Sequence, residues 1–322
     1  MNSKTISMVI PCYNEEKVIP RLIERVTRVA DSFGYAWEVI CVDDCSADRT
    51  WELLQEQTLR DPQWRAISFA RNFGHQTAVS SGLYHASGDA IVILDADLQD
   101  PPEEIPRFIS KWEEGYDVVY AVREKRKEGV LKRLSYYFFY RLMSRLSSID
   151  LPLDSGDFCL MDRRVVDILK MMPERNRFVR GLRAWAGFKQ IGLPYERCSR
   201  AAGEPKYTFK KLLQLALDGI VSFSSIPLRI ASIAGFVLSL ISLMGILFTL
   251  SQRIFISFFA KIGLGPVPGF ATIVISNLFL GGVQLICLGI IGEYLGRIYD
   301  EIKQRPQWVI KDSAGLTPVI PR

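Results

Sequence analysis

Two stretches toward the C-terminal end carry no charged residue, Ile230 to Ser251 and Ile262 to Gly292. Each is longer than the ~20 apolar residues that take a helix across a bilayer. Uncharged runs of this length suit lipid better than a soluble core, so two membrane spans are expected, at about 229–251 and 269–292. The chain of 322 residues leaves room for a soluble domain ahead of them. Met1 to Ile10 lacks the basic, apolar and small-residue regions of a signal peptide, so the N-terminal part is expected in the cytosol. Two spans would return the C-terminus there. Lys210, Lys211 and Arg229 before the first run, and Arg297, Lys303 and Arg305 after the second, lean the same way, against Arg253 and Lys261 between the runs. The expected organisation is a cytosolic domain at 1–228, a two-helix membrane region at 229–296 and a cytosolic tail at 297–322.

Within the first domain, short aliphatic runs alternate with helical spacing. Ile6 to Ile10, Glu38 to Val42, Arg65 to Phe69 and Ala90 to Leu94 read as strands. Glu15 to Phe33, a stretch from about Arg49, and Gln76 to Ala86 read as helices. This alternation predicts an α/β fold with a doubly wound, mainly parallel sheet. Three of the strands run into polar residues, "PCYNEE", "DDCS" and "DADLQD", and ligands of open α/β sheets bind at such carboxyl edges. Neither G-x-G-x-x-G nor a P-loop follows the first strand, so a glycine cradle for phosphates is not expected.

The stretch Asp95 to Glu103, "DADLQDPPE", is the most acidic of these edges. Asp95 and Asp97 stand one residue apart, close enough to converge on one hard cation. Oxygen ligands without nearby Cys or His favour Mg²⁺ or Mn²⁺ over zinc. An EF-hand counted from Asp95 fails, because its sixth position is Asp100 and its twelfth is Pro106. The six cysteines show no zinc spacing and suit reduced, buried thiols. The net charge of +5 is modest, and no basic tract resembles a nucleic-acid arm. Basic residues gather instead at Arg123 to Arg145 and Arg197 to Lys211, beside apolar and aromatic ones, a pattern that points to anionic lipid. Amphipathic interfacial helices are expected there, at about 130–149 and 208–224.

Four segments, "IPCYNEE", "VDDCSAD", "RNFGHQ" and "DADLQDPPE", occur in order. Together with the apolar C-terminal pair they closely resemble inverting glycosyltransferases of family 2 with the GT-A fold. Among these the chain is most similar to polyprenyl-phosphate glycosyltransferases of the bactoprenol glucosyltransferase type. The resemblance implies transfer of a hexose, glucose first, from a UDP-sugar to polyprenyl (undecaprenyl) phosphate at the cytosolic face of the inner (plasma) membrane, with a β-linked product. It implies a homo-oligomer, a tetramer being one form, and a separate flippase and downstream glycosyltransferase as partners. Pro11, Tyr13, Glu15, Asp43, Ser46 and Asp95 would contact the nucleotide-sugar. Asp97, Gln99 and Asp95 would hold the cation, with Asp97 also counted as catalytic. Asp157, in "DSGDFCLMDRR", falls where the family places a candidate base near the acceptor. A phosphate monoester has its second pKa near ~6, so the acceptor arrives ionised and Asp157 is equally a candidate for orienting it or for stabilising charge on the sugar. Arg123, Lys132, Arg133, Arg200 and Lys206 would grip the acceptor phosphate. Pro205 stands where the family more often has Ser. His75 belongs either to the donor pocket or to the loop that frames it. Other readings are a different sugar, of mannose or aminoarabinose type, or a non-catalytic nucleotide-sugar-binding membrane scaffold. A processive synthase is disfavoured, because no Q-x-x-R-W follows Asp157.

Overall fold

Strand β1 (Thr5–Cys12) is buried from Ile6 onward, as a strand sandwiched between helix layers must be. It pairs in parallel with β2 (Ala36–Asp43) on one side and β4 (Ala90–Ile93) on the other. Strand β3 (Trp64–Phe69) extends the parallel run beyond β2. The crossovers are helices α1 (Ile19–Ala30), α2 (Thr50–Arg60) and α3 (His75–His85). Helix α1 buries Leu22, Val26 and Val29, the spacing that marked it in the sequence. It starts at Ile19, with Pro20 in its first turn, rather than at Glu15. The residues between belong to a loop whose backbone N–H groups are taken by side chains at the end of β2. These strands and helices were expected, and they form as expected.

The computed structural model describes residues 4–123, 155–175, 177–196, 226–263 and 269–317. The chain divides into two compact units, Met1–Gly219 with Gln304–Arg322, and Ile220–Lys303. In the first unit a 3-10 turn, Pro102–Glu104, leads into α4 (Ile105–Glu113). Strands β5 (Val118–Arg123), β6 (Ser155–Asp162) and β7 (Gln190–Tyr195) and helices α5 (Arg163–Met171) and α6 (Val179–Trp185) follow. The last strand, β8 (Ile310–Ala314), comes from the far end of the chain.

The eight-stranded sheet has the order β7-β5-β6-β4-β1-β2-β3-β8. Strand β6 runs antiparallel to both β4 and β5, and β8 runs antiparallel to β3. Strand β5 pairs in parallel with β7, so the sheet is mixed, with four parallel and three antiparallel pairings. The βα alternation that predicted a parallel sheet stops after α4, and the strands beyond it pair by adjacency and edge addition. The segment expected as a plain tail contributes β8, anchored by Trp308, which is buried against Tyr84 with ring centroids 6.0 Å apart.

The second unit holds α7 (Ile226–Ile254), α8 (Ile256–Lys261) and α9 (Phe270–Ile302). One segment, Phe279–Ile302, is long and apolar enough to cross a membrane by length and composition, and α7 contains a shorter apolar stretch, Ala231–Gly245. Helices α7 and α9 touch where the Cys287 thiol donates to the Ala231 carbonyl at 3.7 Å. Large apolar side chains such as Phe236, Met244, Leu285 and Ile286 face outward. Cys12, Cys41, Cys45, Cys159 and Cys287 are free thiols. The interfacial helices expected at about 130–149 and 208–224 lie outside the described residues, as do Lys132, Arg133, Arg200 and Lys206.

Helix α3 lies close on β1 at Gly82, where an added Cβ would stand 2.2 Å from Val9 Cγ1. Val9 is fully buried and stiff at χ1, so it has nowhere to yield. Gly82→Ala is expected to destabilise the fold by about 1–3 kcal/mol through overpacking, read as a lower melting temperature in detergent solution.

Candidate active site

The carboxyl ends of β1, β2 and β4 share an unusual backbone feature. Asn14, Cys45 and Leu98 have φ of 54°, 61° and 55°, a left-handed conformation that costs a branched or bulky side chain most. Asn14 and Cys45 sit two residues past the ends of β1 and β2, and Leu98 five past the end of β4; strain of this kind persists only where surrounding bonds hold it.

Those bonds are visible. The Asn14 N–H donates to Ser46 Oγ (2.9 Å), and the Ala47 N–H donates to Asn14 Oδ1 (2.8 Å). The Glu15 N–H reaches Thr50 Oγ1 (2.8 Å), and the Glu16 N–H reaches Asp48 Oδ2 (3.1 Å). Asp43 is buried and accepts from the Ser46 N–H (3.1 Å) and from Ser68 Oγ (2.8 Å). Asp48 Oδ1 accepts from the Thr50 N–H (3.0 Å) and its hydroxyl (2.6 Å), opening α2. Of the residues expected at the donor, Pro11, Tyr13, Glu15, Asp43 and Ser46 thus fall on two interlocked loops, and Asp43 and Ser46 serve as braces within them. Tyr13 is 41% exposed at the rim.

Asp44 pins a third loop. Its carboxylate accepts from the Phe73 N–H at 2.7 Å and the Gly74 N–H at 2.9 Å. Gly74, at φ 95°, turns the chain so that α3 begins with His75 and Gln76. Burial raises the Asp44 pKa, partly offset by those two N–H groups.

Strand register brings the remaining carboxylates together. In the β4–β6 pair Ala90 faces Asp162 and Ile93 faces Cys159. Continued two residues further, this register sets Asp95 across from Asp157. Like charges directly opposite are destabilising unless a cation intervenes. His75 does so, its Nε2 at 3.7 Å from Asp95 Oδ1 and 3.4 Å from Asp157 Oδ2. Burial works against the charged ring, but the Asp157 hydrogen bond and both carboxylates outweigh it and push the His75 pKa up to about 9. Asp157 also accepts from Gln76 Nε2 (3.1 Å) and pairs with Arg180 on α6, whose Nη2 and Nε lie 3.2 and 3.4 Å from Oδ1. Burial alone would raise the Asp157 pKa; Arg180, His75 and Arg183 instead hold it well below the usual carboxylate range. Asp95 moves the other way, pushed up to about 6 by burial and by the neighbouring Asp157, Asp100 and Asp97 carboxylates, against the pull of His75.

Among the described residues no three His, Cys, Asp or Glu side chains gather to hold a metal ion. Asp95 and Asp97 stand two residues apart at this edge, and two carboxylates are enough for a magnesium-like ion that keeps waters and substrate phosphates as its other ligands. Asp95 Oδ1 is closed off from solvent and has no hydrogen-bond partner, an orphaned acceptor that a cation would satisfy. Asp97 is buried two residues on, its Oδ1 accepting from the Gln99 N–H at 3.1 Å. The residues fit a divalent cation.

The structure therefore brings Asp95, Asp97, Gln99 and Asp157 to one sheet edge beside the two donor loops. Arg123 ends β5, next to β6 in the same sheet. Sequence reasoning missed Gln76, Arg180 and Arg183. Gln76 stood inside a quoted motif, whereas the arginines stand three apart on a short apolar helix, a spacing that puts both on one face. Arg183 is 1% exposed, its guanidinium over the Tyr120 ring at 5.1 Å, with Nε and Nη2 lacking hydrogen-bond partners.

Residues 7–169 match the family model described as Glycosyl transferase family 2. The chain is 46% identical over 311 residues to the uncharacterized glycosyltransferase YkcC of Bacillus subtilis (strain 168), covering 96% of this chain and 94% of that one. It is 42% identical over 315 residues to the SfII prophage-derived bactoprenol glucosyl transferase of Shigella flexneri, covering 97% and 99%. A crystal structure of glucosyl-3-phosphoglycerate synthase from Mycobacterium tuberculosis, with Mn²⁺, UDP-glucose and phosphoglyceric acid, aligns over 68% of this chain and 78% of that chain at TM-score 0.47 and 21% identity.

Two outcomes are expected. Asp44→Ala releases two backbone N–H groups and should destabilise the fold by about 1.5–3 kcal/mol, measured by thermal melting. Asp157 has its folded pKa below its unfolded value, so its contribution is present above pH ~4 and lost as acid carries the pH down toward the depressed value. Asp157→Asn should melt below the wild type at pH 7, with the gap narrowing as the pH falls from 4 to 3.

Proposed function

The chain belongs to glycosyl transferase family 2, and from that premise we propose that it transfers glucose from UDP-glucose to a polyprenyl phosphate at the cytosolic face of a membrane. The observation that carries this reading is the 42% identity to a bactoprenol glucosyl transferase across nearly the whole of both chains, helical unit included.

Two features of the molecule support the membrane setting. The helical unit exposes large apolar side chains along α7 and α9, a surface that water does not favour. The chain also leaves the α/β unit before α7 and rejoins its sheet at β8. Whatever the helices cross, they cross an even number of times. Two spans satisfy that count, with α7 and α9 as the pair.

The nucleotide-sugar lies across the ends of β1, β2 and β4, against Pro11, Tyr13, Glu15, Asp43, Ser46 and Asp95. Asp95, Asp97 and Gln99 would hold a divalent cation, Mg²⁺ or Mn²⁺, which would supply positive charge to the diphosphate. The acceptor phosphate comes from the opposite side of the anomeric carbon. Its oxygen forms the new bond to that carbon as the bond to UDP breaks, and the bonding electron pair leaves on UDP. A dianionic phosphate needs no base at neutral pH. Asp157, ionised and hydrogen-bonded to Gln76, His75 and Arg180, is a poor proton acceptor. Its negative charge faces the sugar as positive charge builds on the ring.

Purified protein incubated with a panel of UDP- and GDP-sugars and undecaprenyl phosphate should yield one hexosyl lipid, from UDP-glucose, identified by its mass. A lipid of other mass corrects the sugar, and no lipid product from any donor refutes the reaction. Chelator should abolish product formation and added Mg²⁺ or Mn²⁺ should restore it. Asp157→Asn should lower kcat at least a hundredfold while the UDP-glucose KM changes by less than about threefold.

A further inference from the structure

We propose that Arg180 binds the phosphate oxygen of the acceptor, exchanging Asp157 for that anion when the lipid arrives. The inference deepens the proposed function and rests on it. An acceptor phosphate approaching the sugar must come close to Asp95, Asp97 and Asp157, three carboxylates that repel it. A cation has to stand there. Among the described residues three cationic side chains act on Asp157: His75, Arg183 and Arg180. His75 is wedged between two carboxylates, and Arg183 is buried beneath the Tyr120 ring. Arg180 keeps 28% of its side chain exposed.

The hold of Arg180 on Asp157 is loose. Its Nε and Nη2 converge on the single oxygen Oδ1 at 3.4 and 3.2 Å. Charge-assisted bonds are typically ~2.7–2.9 Å, and a matched guanidinium–carboxylate pair uses both oxygens. The remaining N–H donors of Arg180 have no hydrogen-bond partner among the described residues. A guanidinium offers five donors in a fork that fits a phosphate as well as a carboxylate.

Neither partner depends on the bond to stay in place. The Val179 N–H, at the start of α6, donates to Gln76 Oε1 at 2.9 Å. The amide nitrogen of the same Gln76 donates to Asp157 Oδ2 at 3.1 Å. Gln76 thus ties α3, β6 and α6 together whether or not Arg180 is on Asp157. When Arg180 turns to an incoming phosphate, Asp157 keeps Gln76 and His75, and the helix keeps its anchor. The departing UDP is a second source of phosphate oxygens, and the experiment separates the two.

The full-length protein in detergent micelles, with undecaprenyl phosphate and UDP-glucose, is assayed as wild type, Arg180→Ala, Arg180→Lys and Asp157→Asn. Glucosyl lipid from the wild type establishes the underlying reaction in the same assay, and its absence defeats both readings together. Given that product, Arg180→Ala should raise the KM for undecaprenyl phosphate at least tenfold, with the KM for UDP-glucose and the inhibition constant of UDP within twofold of wild type. Arg180→Lys should recover part of the acceptor affinity. Asp157→Asn removes the competitor for the guanidinium and should lower the acceptor KM while kcat falls. A rise confined to the UDP-glucose KM or the UDP inhibition constant assigns Arg180 to the donor and overturns the proposal. So does a fall in kcat with both KM values unchanged, which would make Arg180 a positioning residue for Asp157. Should Arg180→Ala fail to fold, Arg180→Lys and Asp157→Asn decide it: an acceptor KM unchanged in both is incompatible with direct contact.

Discussion

Two carboxylates facing each other across adjacent strands are the constraint from which the site is built. Asp95 lies past the end of β4 and Asp157 lies near the start of β6, and the antiparallel register sets them opposite. Left alone, such a pair would drive one of its members to take up a proton. His75 between them and Arg180 and Arg183 behind Asp157 resolve the conflict unequally. Asp157 is held ionised, while Asp95 has a raised pKa and an oxygen without a donor. The two carboxylates are therefore held differently: Asp157 is hydrogen-bonded to protein cations, whereas Asp95, among the described residues, has only His75, at 3.7 Å.

Much of the surrounding structure exists to place those cations. His75 and Gln76 open α3 because Asp44 pins the preceding turn, and α3 is seated against β1 at a glycine that permits the close approach. Gln76 fixes the start of α6, which carries both arginines. The donor loops at the ends of β1 and β2 are cross-braced in the same manner. Two left-handed non-glycine residues, Asn14 and Cys45, lie at these strand ends, and the braces around them replace the freedom that glycine would have supplied. A site so tied is pre-organised, and little reordering is left for the moment of binding.

The parts of this arrangement legible in the sequence are those whose signal is local. Strands β1 to β4 announce themselves as aliphatic runs, three of them leading into carboxylates, and α1 as a stripe of Leu22, Val26 and Val29. Asp95 and Asp97 stood out as acidic residues at a strand end, whereas Asp157 was named only through the family resemblance. The mixed character of the sheet was not legible, because strand direction depends on which neighbour a segment meets. Strand β8, "IKDSA", has no apolar alternation and a single β-branched residue, Ile310, and it becomes a strand by pairing with the β3 edge. Asp43 and Ser46 were read as ligand-facing, yet the hydrogen bonds seen for them are to other protein groups. The donors and acceptors that suit a nucleotide suit a backbone equally well. Arg180 sits in an amphipathic heptapeptide indistinguishable by pattern from a surface helix.

Strand β8 has a consequence for how the molecule comes into being. On the ribosome strands β1 to β7 emerge first, then the apolar helices, and the segment that closes the β3 edge only after them. Until then the β3 edge of the growing chain has no β8 beside it and Tyr84 lacks its contact with Trp308. Synthesis of the apolar helices and completion of the sheet are thereby ordered in time. The edge is covered only after the apolar segments have left the exit tunnel, so the finished α/β unit reports that translation has run past them.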